Sequence, residues 1–272
     1  MAIEVNGRDV TYYPIPKSGT SSIKYALMSL NGSGAALADP ENEVHNHLAT
    51  DWVDPFVPLH DGLGGKFTIV RDPLERLLSA YSSRVLDTNV LTRPSARKDM
   101  LEEFGLSTHP DIDTFVFNVE RYSACSWEIR FHVASLRHFV GSSLFPFDYV
   151  FRFEEMEAVR AHLSTVCGRA VEMPRLQAAR TKVGPSDLSP AGLAKAMRFC
   201  RYDYAFLVDY YDPGKWGGIP PGDPDETSSL HVNCDPVMLR GGPLVHPRTL
   251  RNLYRFLARQ PLERRMGAQP RS

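Results

Sequence analysis

Six consecutive residues, Lys17-Ser18-Gly19-Thr20-Ser21-Ser22, combine one cation, one glycine and four hydroxyls. A strand-like stretch around Asp9 to Tyr13 precedes them, and a helix-like stretch from Ile23 to Leu30 follows. Glycine lets a ligand approach the backbone, the first turn of a helix offers amide donors without intrahelical partners, and hydroxyls donate to phosphate oxygens. Lys17 adds a point charge at the start of the loop. The run suits a phosphate-like anion; its simpler use is a turn with a helix cap. It is not GxxxxGK[ST], because no upstream glycine lies at that spacing and the lysine precedes Gly19. A P-loop-like nucleotide kinase using ATP is therefore a rival reading that this spacing disfavours.

A second anion-binding set stands further along. Arg71 ends the apolar stretch Phe67 to Val70, where a sheet presents binding residues, and offers a rigid multi-donor fork. Ser79 lies two turns into the next helix and adds a directional hydroxyl. Arg76 either binds the same anion or pairs with Asp72 at i+4. Arg152 and Lys182 are candidate donor or acceptor contacts, with solvated charges as the plainer alternative.

These residues need elements to hold them. The first unit reads as strand, hydroxyl-rich turn, helix; the second as strand to Val70, turn at Arg71-Asp72-Pro73, then helix. Pro73 suits a first helical turn and Asp72 can cap it. Leu74, Leu77, Leu78 and Tyr81 fall at i, i+3, i+4 and i+7, which supplies one buried face. A third strand is expected at Tyr149 to Phe153, a helix through Val159 and Leu163 stopping at Gly168, and another from Pro190 to Tyr202 capped by Ser189. Short strands feeding helices indicate an α/β sheet flanked by helices. Ser83 to Asp113 reads as loop or short helices, Glu128 to Phe139 as a mostly helical insert, and Trp52 and Trp127 as core packing or ring-stacking surfaces. No internal repeat is seen.

With 272 residues the chain can build a full core, and 43% hydrophobic against 23% charged residues excludes global disorder, collagen and a coiled-coil rod. The net charge of -1 offers no field for gathering nucleic acid or anionic lipid. Cys125, Cys167, Cys200 and Cys234 form no CxxC and suggest reduced thiols. The first thirty residues lack a continuous apolar segment, which argues against a secretory signal, and no apolar run reaches transmembrane length. Residues 1–211 are expected to form the core, with an insert around 84–130. Residues 212–272 read as a Pro/Gly-rich extension ending in a short basic helix near Thr249 to Arg259 and packed on the same domain.

The Pro16 to Ser22 loop and Val70-Arg71-Asp72-Pro73-Leu74-Glu75-Arg76-Leu77-Leu78-Ser79-Ala80-Tyr81 together resemble the carbohydrate sulfotransferases that use 3'-phosphoadenosine 5'-phosphosulfate, PAPS. The resemblance covers about residues 10 to 210 and is specific in the second segment, where the Arg-Asp-Pro, Arg, Ser and Tyr positions all match. It implies a P-loop-like sulfotransferase fold with a central, mainly parallel sheet. By it, Lys17 contacts the transferring sulfuryl group and bridging oxygen, Ser18, Gly19, Thr20, Ser21 and Ser22 hold the 5'-phosphate, and Arg71 with Ser79 holds the 3'-phosphate. Val44 to Trp52 is similar to a segment of uronyl 2-O-sulfotransferases in which a His-x-His pair supplies the suspected base. Phe151 to Met156 and Leu188 to Phe206 are also similar to family segments, whereas the insert is only weakly so.

The implied reaction is sulfuryl transfer from PAPS to a saccharide or glycan hydroxyl, leaving 3'-phosphoadenosine 5'-phosphate, PAP, with no metal required. It needs a proton acceptor, and histidine is neutral near pH 7. His45 or His47 is the first candidate, since on an extended segment both rings point to one face; His132 is the second. Surface or structural roles are the alternative for all three, and a metal site of the pair with Asp51 lacks a third ligand. Lys17 would offset charge on the departing oxygen. A noncatalytic glycan-binding protein of the same fold is the remaining rival. Neither nucleic acid nor membrane insertion is expected. An intact bacterial chain would work in the cytoplasm; the trimmed soluble part of a eukaryotic homologue would, by the resemblance, work in the Golgi lumen.

Overall fold

The computed structural model describes residues 2–32, 39–54, 56, 58, 61–176 and 180–220. His60, Cys234 and the basic helix expected near Thr249 lie outside them.

Four strands form one sheet in the order β1 (Ile3–Glu4), β2 (Thr11–Tyr13), β3 (Lys66–Val70), β4 (Tyr149–Arg152). β1 is antiparallel to β2; β2, β3 and β4 run parallel, with Tyr12 opposite Phe67 and Val70 opposite Arg152. The sheet is thus mixed and mainly parallel, as the alternation of strands and helices implies.

Alternate side chains of each strand enter different cores. Tyr12, Phe67 and Ile69 pack with Ile23, Leu27, Val159 and Leu163, so α1 (Thr20–Leu30) and a helix at Met156–Cys167 share that face. Tyr13 and Val70 pack with Leu136, Phe139, Val140 and Leu207 on the other. The third core is helical: Leu74, Leu77 and Leu78 meet Phe115, Tyr122, Ile129, Met197 and Tyr204.

The expected punctuation is observed. Asp72 Oδ1 accepts from the Glu75 amide at 3.1 Å and caps a helix at Pro73–Ala80. Asp72 also accepts from the Tyr204 hydroxyl at 2.9 Å and Trp216 Nε1 at 3.1 Å. Its carboxylate thereby joins the start of one helix to the helix Pro190–Phe206 and the turn Pro213–Trp216. Ser189 caps Pro190–Phe206 through the Gly192 amide at 3.0 Å, and Gly168 ends Met156–Cys167 in the left-handed region. The Pro190 helix runs four residues beyond the expected Tyr202, because Tyr204 continues its buried face.

Of the loop or short helices expected from Ser83, the structure shows short helices, the first a π-helix over Tyr81–Asp87 that continues the Pro73 helix. One local structure differs from expectation. His45 and His47 lie on a helix, α2 (Pro40–His47), and not on an extended segment. Two residues apart on a helix are about 200° apart around the axis, so the two rings do not share a face. Cys125, Cys167 and Cys200 are buried free thiols. Among the described residues no helix is long and apolar enough to cross a membrane.

Candidate active site

The site lies where β2 and β3 end. Between β2 and α1 the chain turns through two left-handed residues, Lys17 (φ 69°) and Gly19 (φ 75°). Glycine takes that region readily and lysine does not, so Lys17 stores local strain. A Cβ on Gly19 would stand 3.1 Å from Met156 Cε and 3.4 Å from the Phe153 ring, so the loop passes close to the Met156 helix.

Lys17 Nζ donates to Ser83 Oγ at 2.8 Å. The π-helix brings Ser83 there, since a widened turn changes the angular position of every residue after Tyr81. Burial, then Arg84 and then Arg71, lowers the Lys17 pKa from 10.5 to about 7, while Asp87 opposes them. Arg71 donates from its Nη1 to the Lys17 carbonyl at 3.0 Å, and its guanidinium lies 4.5 Å from the centre of the Phe153 ring. Its buried Nε has no hydrogen-bond partner among the described residues. Ser79 is partly exposed, two turns along the Pro73–Ala80 helix. Three cations therefore surround one loop, a set whose chemistry fits a multiply charged phosphate ligand.

The hydroxyls of the loop divide by task. Thr20 donates to the Ile15 carbonyl at 2.6 Å, which uses its proton to close the loop. Ser18 is fully buried, and its Oγ has no partner among the described residues. Ser22 Oγ accepts from the Leu176 amide at 3.0 Å and keeps a proton to donate. Ser21 Oγ is 2.8 Å from His45 Nε2. On the other side of that ring, Nδ1 lies 3.3 Å from Lys24 Nζ, which also donates to Thr50 Oγ1 at 2.6 Å. Burial lowers the Lys24 pKa to about 7 against the pull of Asp51. His47 is exposed.

Three candidate contacts have other structural partners. Arg76 is buried and ion-paired to Asp203 at 3.1 Å, not to Asp72, and it donates to the carbonyls of His132, at 3.2 Å, and Ala134. That guanidinium ties the C-terminal end of the helix Trp127–Val133 to the Pro73 helix. Arg152 is exposed and bidentate to Glu155 Oε1, at 3.1 and 2.8 Å, while Glu155 Oε2 accepts from the Arg152 amide at 2.9 Å. Glu155 thus caps, as its position before a helix implies. Glu154 accepts from the Tyr211 hydroxyl at 2.7 Å. Lys182 is exposed, but its segment adjoins the site: Asp87 accepts from the amides of Arg180 and Thr181 at 2.9 and 3.2 Å.

His132 Nδ1 is 2.6 Å from the Glu128 carbonyl. Its pKa is held well below 6.5, chiefly by burial and then by Arg84, with Lys17 and His45 adding to the effect. Glu128 pairs with Arg93 at 3.1 Å and Arg84 at 3.8 Å. Trp127 and Trp52 pack against each other, centroids 5.2 Å apart, with Trp52 stacked on His138 at 5.0 Å. Trp127 remains 43% exposed, enough to keep a face for a ligand.

Ser83, Asp87 and Lys24 are the residues that sequence reasoning passed over as site members. A π-turn has no readable periodicity, so nothing marked Ser83 as the partner of Lys17. Among the described residues no cluster of three or more His, Cys, Asp or Glu could hold a metal.

The sequence profile of the sulfotransferase family matches residues 5–189, which contain both cation-bearing loops. The chain belongs to the sulfotransferase family. Among curated proteins, the chain is 28% identical over 227 residues to human carbohydrate sulfotransferase 8, covering 74% of the chain and 52% of that protein. It is 35% identical over 82 residues to carbohydrate sulfotransferase 10 of Xenopus laevis, covering 28% and 23%. The chain thus spans about half the length of the first of these relatives and less of the second. No solved structure matches.

Proposed function

We propose that this sulfotransferase transfers the sulfuryl group of PAPS to a hydroxyl of a saccharide or glycan. The observation that carries the reading is the convergence of Lys17, Arg71 and Arg84 on a left-handed loop at the head of α1, inside the segment matched by the family. A carbohydrate acceptor is favoured by the relatives, which are carbohydrate sulfotransferases 8 and 10.

In this reading the amides and hydroxyls of Gly19, Ser21 and Ser22 hold the 5'-phosphate, and Arg71 and Ser79 hold the 3'-phosphate. PAPS supplies the activated sulfuryl group. Lys17 supplies the charge that meets the departing phosphate oxygen, an interaction stronger in the transition state than before it. Ser83 holds the Lys17 ammonium until the ligand arrives. Of the two histidines on α2, His45 contacts this loop, through Ser21, and His47 is exposed.

The test is calorimetric titration of PAP beside ATP, with wild type and an Arg71→Ala/Ser79→Ala double variant. Tighter binding of PAP than ATP, lost in the double variant, supports the donor assignment. A folded wild type that binds neither, or ATP alone, refutes it.

A further inference from the structure

Resting on the PAPS reading above, we infer that His132 Nε2 is the general base that takes the acceptor hydroxyl's proton, and that His45 is a positioning residue for the phosphate loop. The hydrogen-bond geometry of the two rings separates them. A carbonyl oxygen only accepts, so the 2.6 Å contact with Glu128 O places the proton on His132 Nδ1. The neutral ring then carries its lone pair on Nε2, and no described residue hydrogen-bonds to that atom. His45 has Ser21 Oγ at Nε2 and Lys24 Nζ at Nδ1, so both of its nitrogens are engaged. Orienting Ser21 is what that arrangement does.

His132 is also held in place relative to Lys17. Arg76 fixes the backbone at His132 and Ala134. One turn earlier, Glu128 pairs with Arg84, which follows Ser83, the residue that accepts from Lys17 Nζ. The charged or protonatable groups facing His132 come from three other elements: Arg84 from the π-helix, Lys17 from the loop and His45 from α2, while its own helix supplies the Glu128 backbone carbonyl. The three cationic or protonatable groups oppose a positive charge on the ring, so it stays neutral and ready to accept a proton.

During transfer the acceptor O–H bond breaks and its proton passes to Nε2, while the acceptor oxygen forms a bond to sulfur. The bond from sulfur to the bridging oxygen breaks, and its electron pair leaves on the 5'-phosphate of PAP, opposite Lys17. The negative charge of the bound donor offsets Arg84 and Lys17, which raises the affinity of His132 for that proton at the moment it is needed.

The experiment uses the full chain. Imidazole resonances of ¹⁵N-histidine-labelled wild type are followed against pH with and without PAP, using His132→Asn for assignment. The expected result is an Nδ1–H tautomer for His132 and an upward shift of its titration when PAP binds. The Asn amide can still donate to Glu128 O, so H132N should bind PAP within about twofold of wild type. Sulfuryl transfer from PAPS, to water and to an oligosaccharide panel, should fall about 100-fold or more with loss of the acidic limb of the pH profile. His45→Asn should weaken PAP binding and keep that limb. A His132 titration unmoved by bound PAP, or an H132N variant that keeps its rate and acidic limb, would overturn the inference. Failure of wild type to bind PAP would instead bring down the donor reading together with it.

Discussion

Binding of PAP should draw a proton from solution, and Lys17 should be its destination. In the free protein burial and the neighbouring Arg84 and Arg71 hold Lys17 at about 7. A dianionic phosphate beside the ammonium removes the reason for that shift and returns it toward the ordinary lysine value of about 10.4. At about pH 8 the free Lys17 is roughly one-tenth protonated and the bound form almost fully so, which gives uptake of about 0.9 proton. At about pH 6 free Lys17 is already charged and its share falls to about 0.1 proton. The dissociation constant should rise about tenfold for each pH unit above about 7.5. Titration calorimetry in two buffers of different ionisation enthalpy measures the uptake directly. At the higher pH the ligand's phosphates, with a second pKa near 6, contribute little. Lys24, also lowered to about 7, is unchanged in a Lys17→Arg variant, so the difference between the two proteins isolates Lys17. Arginine does not deprotonate, and K17R should bind without the uptake. Uptake below about 0.2 proton at about pH 8 in wild type, or equal uptake in K17R, would refute the placement of Lys17 against the phosphate.

The same loop should respond to backbone and charge changes. Gly19→Ala forces an alanine into the left-handed region, 3.1 Å from Met156 Cε, and should cost about 1–2 kcal/mol in urea unfolding along with much of the PAP affinity. Arg76→Met leaves Asp203 buried without its guanidinium and should lower unfolding free energy by about 3–5 kcal/mol, which chemical denaturation would show. Lys17→Met should stabilise the ligand-free protein. Lys17 is depressed in the folded state, so the unfolded chain binds the extra proton between about pH 7 and about pH 10.4, and wild-type stability rises through that window. The advantage of K17M in thermal melts should therefore be largest near neutral pH and shrink toward about pH 10; an advantage that grows with pH would reverse the sign.

What was legible in the sequence was what local chemistry decides. Asp72-Pro73 marked a helix start and Asp72 indeed caps it, because capping needs only neighbours in the chain. Residue type and spacing drew attention to the two cation-bearing loops, and apolar stretches feeding helices marked the parallel strands. The roles set by distant partners were not legible. Arg76 pairs with Asp203, 127 residues away, and no i+4 rule predicts that. The extended segment expected for His45 and His47 is instead a helix, and Asp39-Pro40 ahead of it is its start signal. The π-helix at Tyr81–Asp87 leaves no mark in the pattern, which offers loop or short helices from Ser83 without choosing between them.

The π-helix also explains how three cations can be kept together without a ligand. A buried cluster of like charges is costly unless each charge finds an acceptor or gives up its proton. Arg71 donates to the Lys17 carbonyl, Arg84 turns to Glu128, and Lys17 rests on the neutral Ser83 hydroxyl. Only Lys17 can respond by losing its proton, since the guanidiniums stay charged. A serine holds it more weakly than a carboxylate would, and Asp87, at the end of the same π-helix, spends its two oxygens on the Arg180 and Thr181 amides. Had the carboxylate of Asp87 occupied the position of Ser83, Lys17 would be permanently charged and paired, and a phosphate would have to displace it. The widened turn therefore does more than add a residue to the wall: it gives Lys17 a neutral hydroxyl partner in place of a carboxylate.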